Sequence, residues 1–128
     1  LKKKTANDKS YHAKAKTLFM PQFRGEPCAV CGSTQGTVGH HIVSQARSKA
    51  LKFDKRNIIV LCPSHHKFGM DMAPHSPSQV VVERFIDWFK ENRPEQWQWT
   101  RDHEHDQRKY SYKQAVDNMK KGLEAWHV

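Results

Sequence analysis

The chain has 128 residues, the size of one domain, and 37% of them are apolar, enough for a modest core. Its formal net charge is +9, and the excess lies wholly in the first 73 residues: +6 over 1–25, +3 over 26–73, and neutral over 74–128. No apolar run approaches the roughly 18 residues that cross a bilayer, and the lysine-rich start has no apolar stretch behind it, so neither a membrane span nor a secretory signal is expected and the protein is expected to be soluble and cytoplasmic.

A polarised basic half fits a polyanionic partner, although a solvated lysine tail gives the same tally, and charge does not separate DNA from RNA or an acidic lipid surface. The chain opens on Leu1 rather than Met, which leaves room for a segment upstream. Three cysteines, Cys28, Cys31 and Cys62, argue against a disulfide framework and ask for a fourth ligand.

In chain order, residues 8–20 carry Tyr11, Ala15, Leu18 and Phe19 at helical spacing until Pro21 stops them, which makes a basic arm with a weak apolar stripe. The stretch RGEPCAVCGSTQG reads as a tight knuckle. TVGHHIV is strand-like, SQARSKALKFDKR is a polar, basic connection, and NIIVLC is a short buried strand. After Pro63 a helix is expected to about Met72. The next starts at Ser76, with Pro77 in its first turn and Gln79 completing a capping box. Val82, Phe85, Ile86 and Phe89 give this helix one apolar face, and residues 90–94 end it. A last helix runs from Ser111 through Val116, Met119, Leu123 and Trp126, its stripe packed on the body.

The strongest chemical signal is Cys28-x-x-Cys31 followed by Cys62-x-x-His65. Two residues between ligands let a tight turn aim both at one ion, and Zn²⁺ accepts three thiolates and an imidazole in a closed, structural tetrahedron. Three buried thiols and an exposed histidine are the alternative. With His65 on zinc, His66 lies about 100° further round a helix and is left for a second ion. The shared zinc pins the strand bearing His40 and His41 near it. Two strands and a helix carrying these histidines make a small ββα unit holding a metal.

Cys-x-x-Cys, His-His-Ile, Asn57 before an apolar strand and Cys-x-x-His-His together resemble the HNH nucleases, the His-Me finger or ββα-metal endonucleases. ALKFDKRNIIVLCPSHHKF and the later DWFKENRPEQW are similar to small phage HNH nucleases of the NinG/Rap recombination type. The motif resemblance covers about residues 26–72, loosens to about Trp97, and does not reach the arm or the last thirty residues. It implies His40 and His66 as ligands of a catalytic Mg²⁺ or Mn²⁺, His41 as general base, and Asn57 as the residue that fixes the loop and ring of His41. In a regular strand His40 and His41 point to opposite faces, so serving one site requires a break between them, which Gly39 offers.

Weaker signals are weighed against ordinary ones. His103, Glu104, His105 and Asp106 read as a solvated charged turn. His75 reads as a cap or surface residue rather than a third ligand. Trp88, Trp97, Trp99 and Trp126 read as core packing more than base stacking. Arg47, Lys49, Lys52, Lys55 and Arg56 lie between the strands and are candidates for DNA phosphate contacts.

The expectation is therefore an α+β fold: a basic arm over 1–25, a zinc-stapled ββα-metal core over 26–73, and a helical extension over 74–128. The expected function is a metal-dependent DNA endonuclease leaving 5′-phosphate and 3′-hydroxyl ends, with branched recombination intermediates of a phage as the implied substrate. Its rivals are a zinc-stabilised nucleic-acid-binding module that needs no His41, and a protein-interaction domain that binds no DNA.

Overall fold

The computed structural model describes residues 2–126, with side chains from Lys9 onward. The two apolar, β-branched segments pair as an antiparallel hairpin, β1 (Val38–His41) with β2 (Ile58–Leu61), in the register Val38↔Leu61, His40↔Ile59 and His41↔Ile58. Side chains alternate across a strand, so Ile59 and Leu61 share one face and Ile58 takes the other. Each face has its own core. Ile59 and Leu61 pack with Cys28, Cys62, Phe85 and Phe89, while Ile58 packs with Ala15, Phe19, Phe53, Ala115, Val116 and Ala125. The result is a small two-stranded sheet with helices on both sides, an α+β fold.

Helix α1 (Lys2–Phe19) starts earlier than expected and turns Ala15 and Phe19 inward, but Leu18 stays 43% exposed. Pro21 then opens a single 3₁₀ turn over Met20–Phe23. Gly39 causes no break in β1. It is small because Phe23 and Ile58 close on it: a Cβ there would lie 2.9 Å from each. The connection over 44–57 is not the solvated loop its composition suggests. Ser48, Ala50, Leu51, Lys52, Phe53 and Asp54 are buried around two 3₁₀ turns, because Leu51 and Phe53 carry it into the core.

The helix expected to reach Met72 is a single π turn, Ser64–Phe68, closed by the Gly69 amide donating to the Ser64 carbonyl at 2.7 Å. A Cβ at Gly69 would meet that oxygen at 2.2 Å, so only glycine closes the turn. Helix α2 (Gln79–Asn92) begins after Ser78. The Ser76 hydroxyl instead accepts from the Ser78 amide in a local turn, so no capping box forms. Pro94, expected only to end α2, sits in the first turn of a further helix, α3 (Pro94–His103). Helix α4 (Tyr112–Lys120) starts where Ser111 caps it, accepting from the Gln114 amide at 3.2 Å. It stops well short of Trp126, and Leu123 lies beyond it, 43% exposed. α4 packs on α1 across the Phe53 core. Among the described residues no helix is long and apolar enough to cross a membrane.

Candidate metal centres

Cys28, Cys31, Cys62 and His65 bring one ligand atom each within 4.8 Å of the others. The Cys31 and Cys62 sulfurs are 3.7 Å apart, and His65 Nδ1 lies 3.3 Å from Cys62 Sγ and 3.8 Å from Cys28 Sγ. A tetrahedron with Zn–S near 2.3 Å has S···S edges of about 3.8 Å, so the spacing fits such an ion. The knuckle is shaped by its backbone: Ser33 O accepts from the Cys28 amide at 2.8 Å, and Val60 O accepts from the Ala29 amide at 2.9 Å, docking the turn on β2. Burial pushes the Cys28 thiol up, but backbone groups of Cys62, Cys31 and Val30 outweigh it and leave the thiol at about 6, ready to ligate as thiolate. The set could hold a metal such as zinc.

The second cluster is His40, His66 and His75, again with one nitrogen each within 4.8 Å of the others. The rings meet edge to face, with centroids 5.2 Å apart for His40 and His66, and 4.7 Å for each with His75. The register explains the first position: His40 lies opposite Ile59, on the face that packs against Phe85. The π turn sends His65 to the cysteines and His66 here, and the His75 amide donates to the His66 carbonyl at 3.0 Å, folding the following loop back on the turn. Burial holds His40 down to about 3 and His66 down to about 4, with the neighbouring rings acting in the same direction. Neutral imidazole is the form a metal accepts.

His75 is the residue that sequence reasoning set aside. Nothing periodic marks it, and only the loop geometry brings it home. His41, opposite Ile58, faces the other way, and its Nε2 lies 2.8 Å from the Lys52 carbonyl. That oxygen can only accept, so Nε2 carries the proton and Nδ1 is bare. Burial lowers the His41 pKa, and the positive charges of Lys52 and Lys16 add to the effect. Although the two histidines leave opposite faces, β1 ends at His41, and a cleft of about 280 Å³ wraps the strand end with Gly39, His40, His41, Gln45, His66 and His75 on its wall.

Asn57 is fully buried. Its Oδ1 accepts from the Val43 amide at 2.8 Å, and its Nδ2 donates to the carbonyls of Val43 at 3.0 Å and Leu51 at 3.2 Å. It therefore holds both ends of the loop that supplies the Lys52 carbonyl.

The five basic residues between the strands fall into different settings. Arg47, Lys49 and Lys55 are exposed, Arg47 pairing with Glu104 at 3.3 Å and Lys55 with Glu124 at 3.5 Å. Lys52 is only 4% exposed and its Nζ meets Gln45 Oε1 and His12 Nε2. Arg56 grips Asp54 with two bonds, at 2.9 and 2.7 Å, and its guanidinium lies between the rings of Trp99 and Trp126. Trp88 and Trp97 pack on the Phe85 core. Neither candidate metal cluster includes a residue of 103–106, where Glu104 pairs with Arg101 and Arg47 and His103 stacks on Trp99.

Compared with known protein families, with curated proteins and with solved structures, the chain matches none.

Proposed function

We propose that the chain is a metal-dependent DNA endonuclease of the HNH type, built on a zinc-stapled ββα-metal core. One observation carries this reading: a three-imidazole cluster and a fourth imidazole, its ring held by a backbone carbonyl, open onto the same cleft. The sequence resemblance assigns three of these four imidazoles, His40, His41 and His66, to that chemistry, together with Asn57; His75 is not among its residues.

When held by His40, His66 and His75, a divalent ion would supply positive charge to the phosphate and leaving oxygens. His41 does the proton work: with Nε2–H donated to the Lys52 carbonyl, the bare Nδ1 takes a proton from the attacking water. Burial keeps the ring in this receptive form at neutral pH. Asn57 acts at one remove, fixing the loop that fixes the ring. The Cys28, Cys31, Cys62 and His65 site supplies four protein ligands, leaves no open position, and is structural. DNA recognition rests on charge and shape, and the NinG/Rap likeness favours branched phage recombination intermediates, with 5′-phosphate and 3′-hydroxyl products.

Three neutral imidazoles are a poor cage for Mg²⁺, which demands oxygen, and a better one for first-row transition ions. The test is nicking of supercoiled plasmid by zinc-loaded protein with Mg²⁺, Mn²⁺, Co²⁺ or Ni²⁺. Cutting is expected, stronger with a transition ion than with Mg²⁺, and His75→Ala raises the ion concentration for half-maximal cutting more than about tenfold. Salt-sensitive DNA binding without cutting under any ion contradicts the reading and favours the binding module.

A further inference from the structure

We propose that the cavity behind the three-histidine cluster receives a nucleobase unstacked from the DNA beside the phosphate being cut, and that Phe68 and Met70 form the wedge that opens the stack. The inference rests on the nuclease reading of the cluster and adds to it a base-binding site.

The cavity is about 300 Å³, the small end of the range for ligand pockets, and it fits one flat heterocycle better than a larger molecule. It adjoins the cleft directly, since His40, His41 and His75 line both. A phosphate at the cluster therefore has its own nucleoside within reach of the opening. Val82, Ile86, Phe89 and Trp97 form the apolar and aromatic walls, surfaces on which any base stacks. Arg101 lines it as well, its guanidinium 4.4 Å from the centre of the Trp97 ring. Its Nη1 is paired with Glu104 at 2.8 Å, but its Nε is buried with no hydrogen-bond partner. A buried donor without an acceptor is costly, and base edges offer carbonyl and ring-nitrogen acceptors.

A second, independent feature lies on the segment between His66 and His75. Phe68 is 78% and Met70 88% exposed, so two large apolar side chains stand in water on the stretch of chain that joins two of the cluster's histidines. Proteins that unstack DNA do so with apolar side chains of this kind inserted at a base step. The charges felt at the cleft histidines, from Lys16, Lys52 and Lys67, are all positive. A base still attached to its phosphodiester satisfies charge, stacking and the Arg101 donor together, whereas a free aromatic molecule leaves the charge unanswered.

The experiment places 2-aminopurine at each unpaired position in turn of a branched DNA and titrates it with the metal-loaded wild-type protein, Ile86→Trp, and Phe68→Ala/Met70→Ala. Strand cutting is followed in parallel. In wild type, one position is expected to change fluorescence on binding, and an abasic site there weakens binding about tenfold. Ile86→Trp, which fills the cavity, abolishes the change, and the exposed double variant, which carries no folding risk from a buried site, diminishes it. No responsive position, or a response equal in wild type and both variants, overturns the pocket even where cutting proceeds. A position-specific response without cutting keeps the pocket and sinks the nuclease. Failure of wild type to bind DNA overturns both.

Discussion

His40 and His41 lie opposite Ile59 and Ile58, and that register sends one ring to His66 and His75 and the other to the Lys52 carbonyl. Two adjacent imidazoles thus reach one cleft from two faces because the strand stops there. This much follows from a period of two and a strand end, and the paired spacing of Cys28, Cys31, Cys62 and His65 was equally readable, because knuckle geometry is local. His75 was not: its place depends on a π turn and a backbone bond to His66, neither of which has a sequence period. Asn57 was readable by resemblance alone, and the structure supplies its physics. Asn57→Ala would leave the Val43 amide and carbonyl and the Leu51 carbonyl without their buried partner, a loss of about 2 kcal/mol or more in urea unfolding. A change under about 0.5 kcal/mol, the range of an ordinary surface substitution, would contradict the clamp.

Each element's boundaries record where local signals compete. Ser111 caps α4 as its sequence suggests, but Ser76 spends its hydroxyl on a turn and α2 starts at Gln79. Pro94 both ends one helix and opens the next, and only the second role produces α3. The connection over 44–57 looked solvated because its charges outnumber its apolar residues, yet Leu51 and Phe53 draw it inward. The Cys28, Cys31, Cys62 and His65 cluster belongs to this scale: zinc held there would tie the knuckle to the end of β2 and to the π turn. Cys31 is exposed, so Cys31→Ser tests ligation rather than packing. The variant is expected to bind zinc at least about tenfold more weakly and to unfold at a lower temperature when challenged with a chelator, as scanning calorimetry with metal analysis would show. Equal melting of wild type and variant under chelator would remove the staple.

Across the whole molecule the two cores meet at the hairpin, and the charges felt at His41 and His66 include those of Lys16, Lys52 and Lys67. Burial holds His40 near about 3 and His66 near about 4, below their ordinary 6.5. Between those values and pH 6.5 the unfolded chain takes up protons that the native one refuses, so stability is full above about pH 6.5 and falls as pH drops toward 4. Cys28, held at about 6 rather than 9, acts with the same sign in a higher window, adding stability that is full only above pH 9 and is lost as pH falls toward 6. Urea midpoints measured from pH 7.5 to 4.5 should therefore decline steadily, and a flat profile would mean these rings are solvated.

The most direct measurement is plasmid nicking by zinc-loaded His41→Ala beside wild type, with EDTA and added ions in parallel lanes. Wild type should cut only with metal. His41→Ala should remain folded, keep its zinc and bind DNA, yet lose at least about a hundredfold in rate, the scale of a positioned general base. Equal cutting by the two proteins would contradict the assignment of His41 and, with it, the central claim.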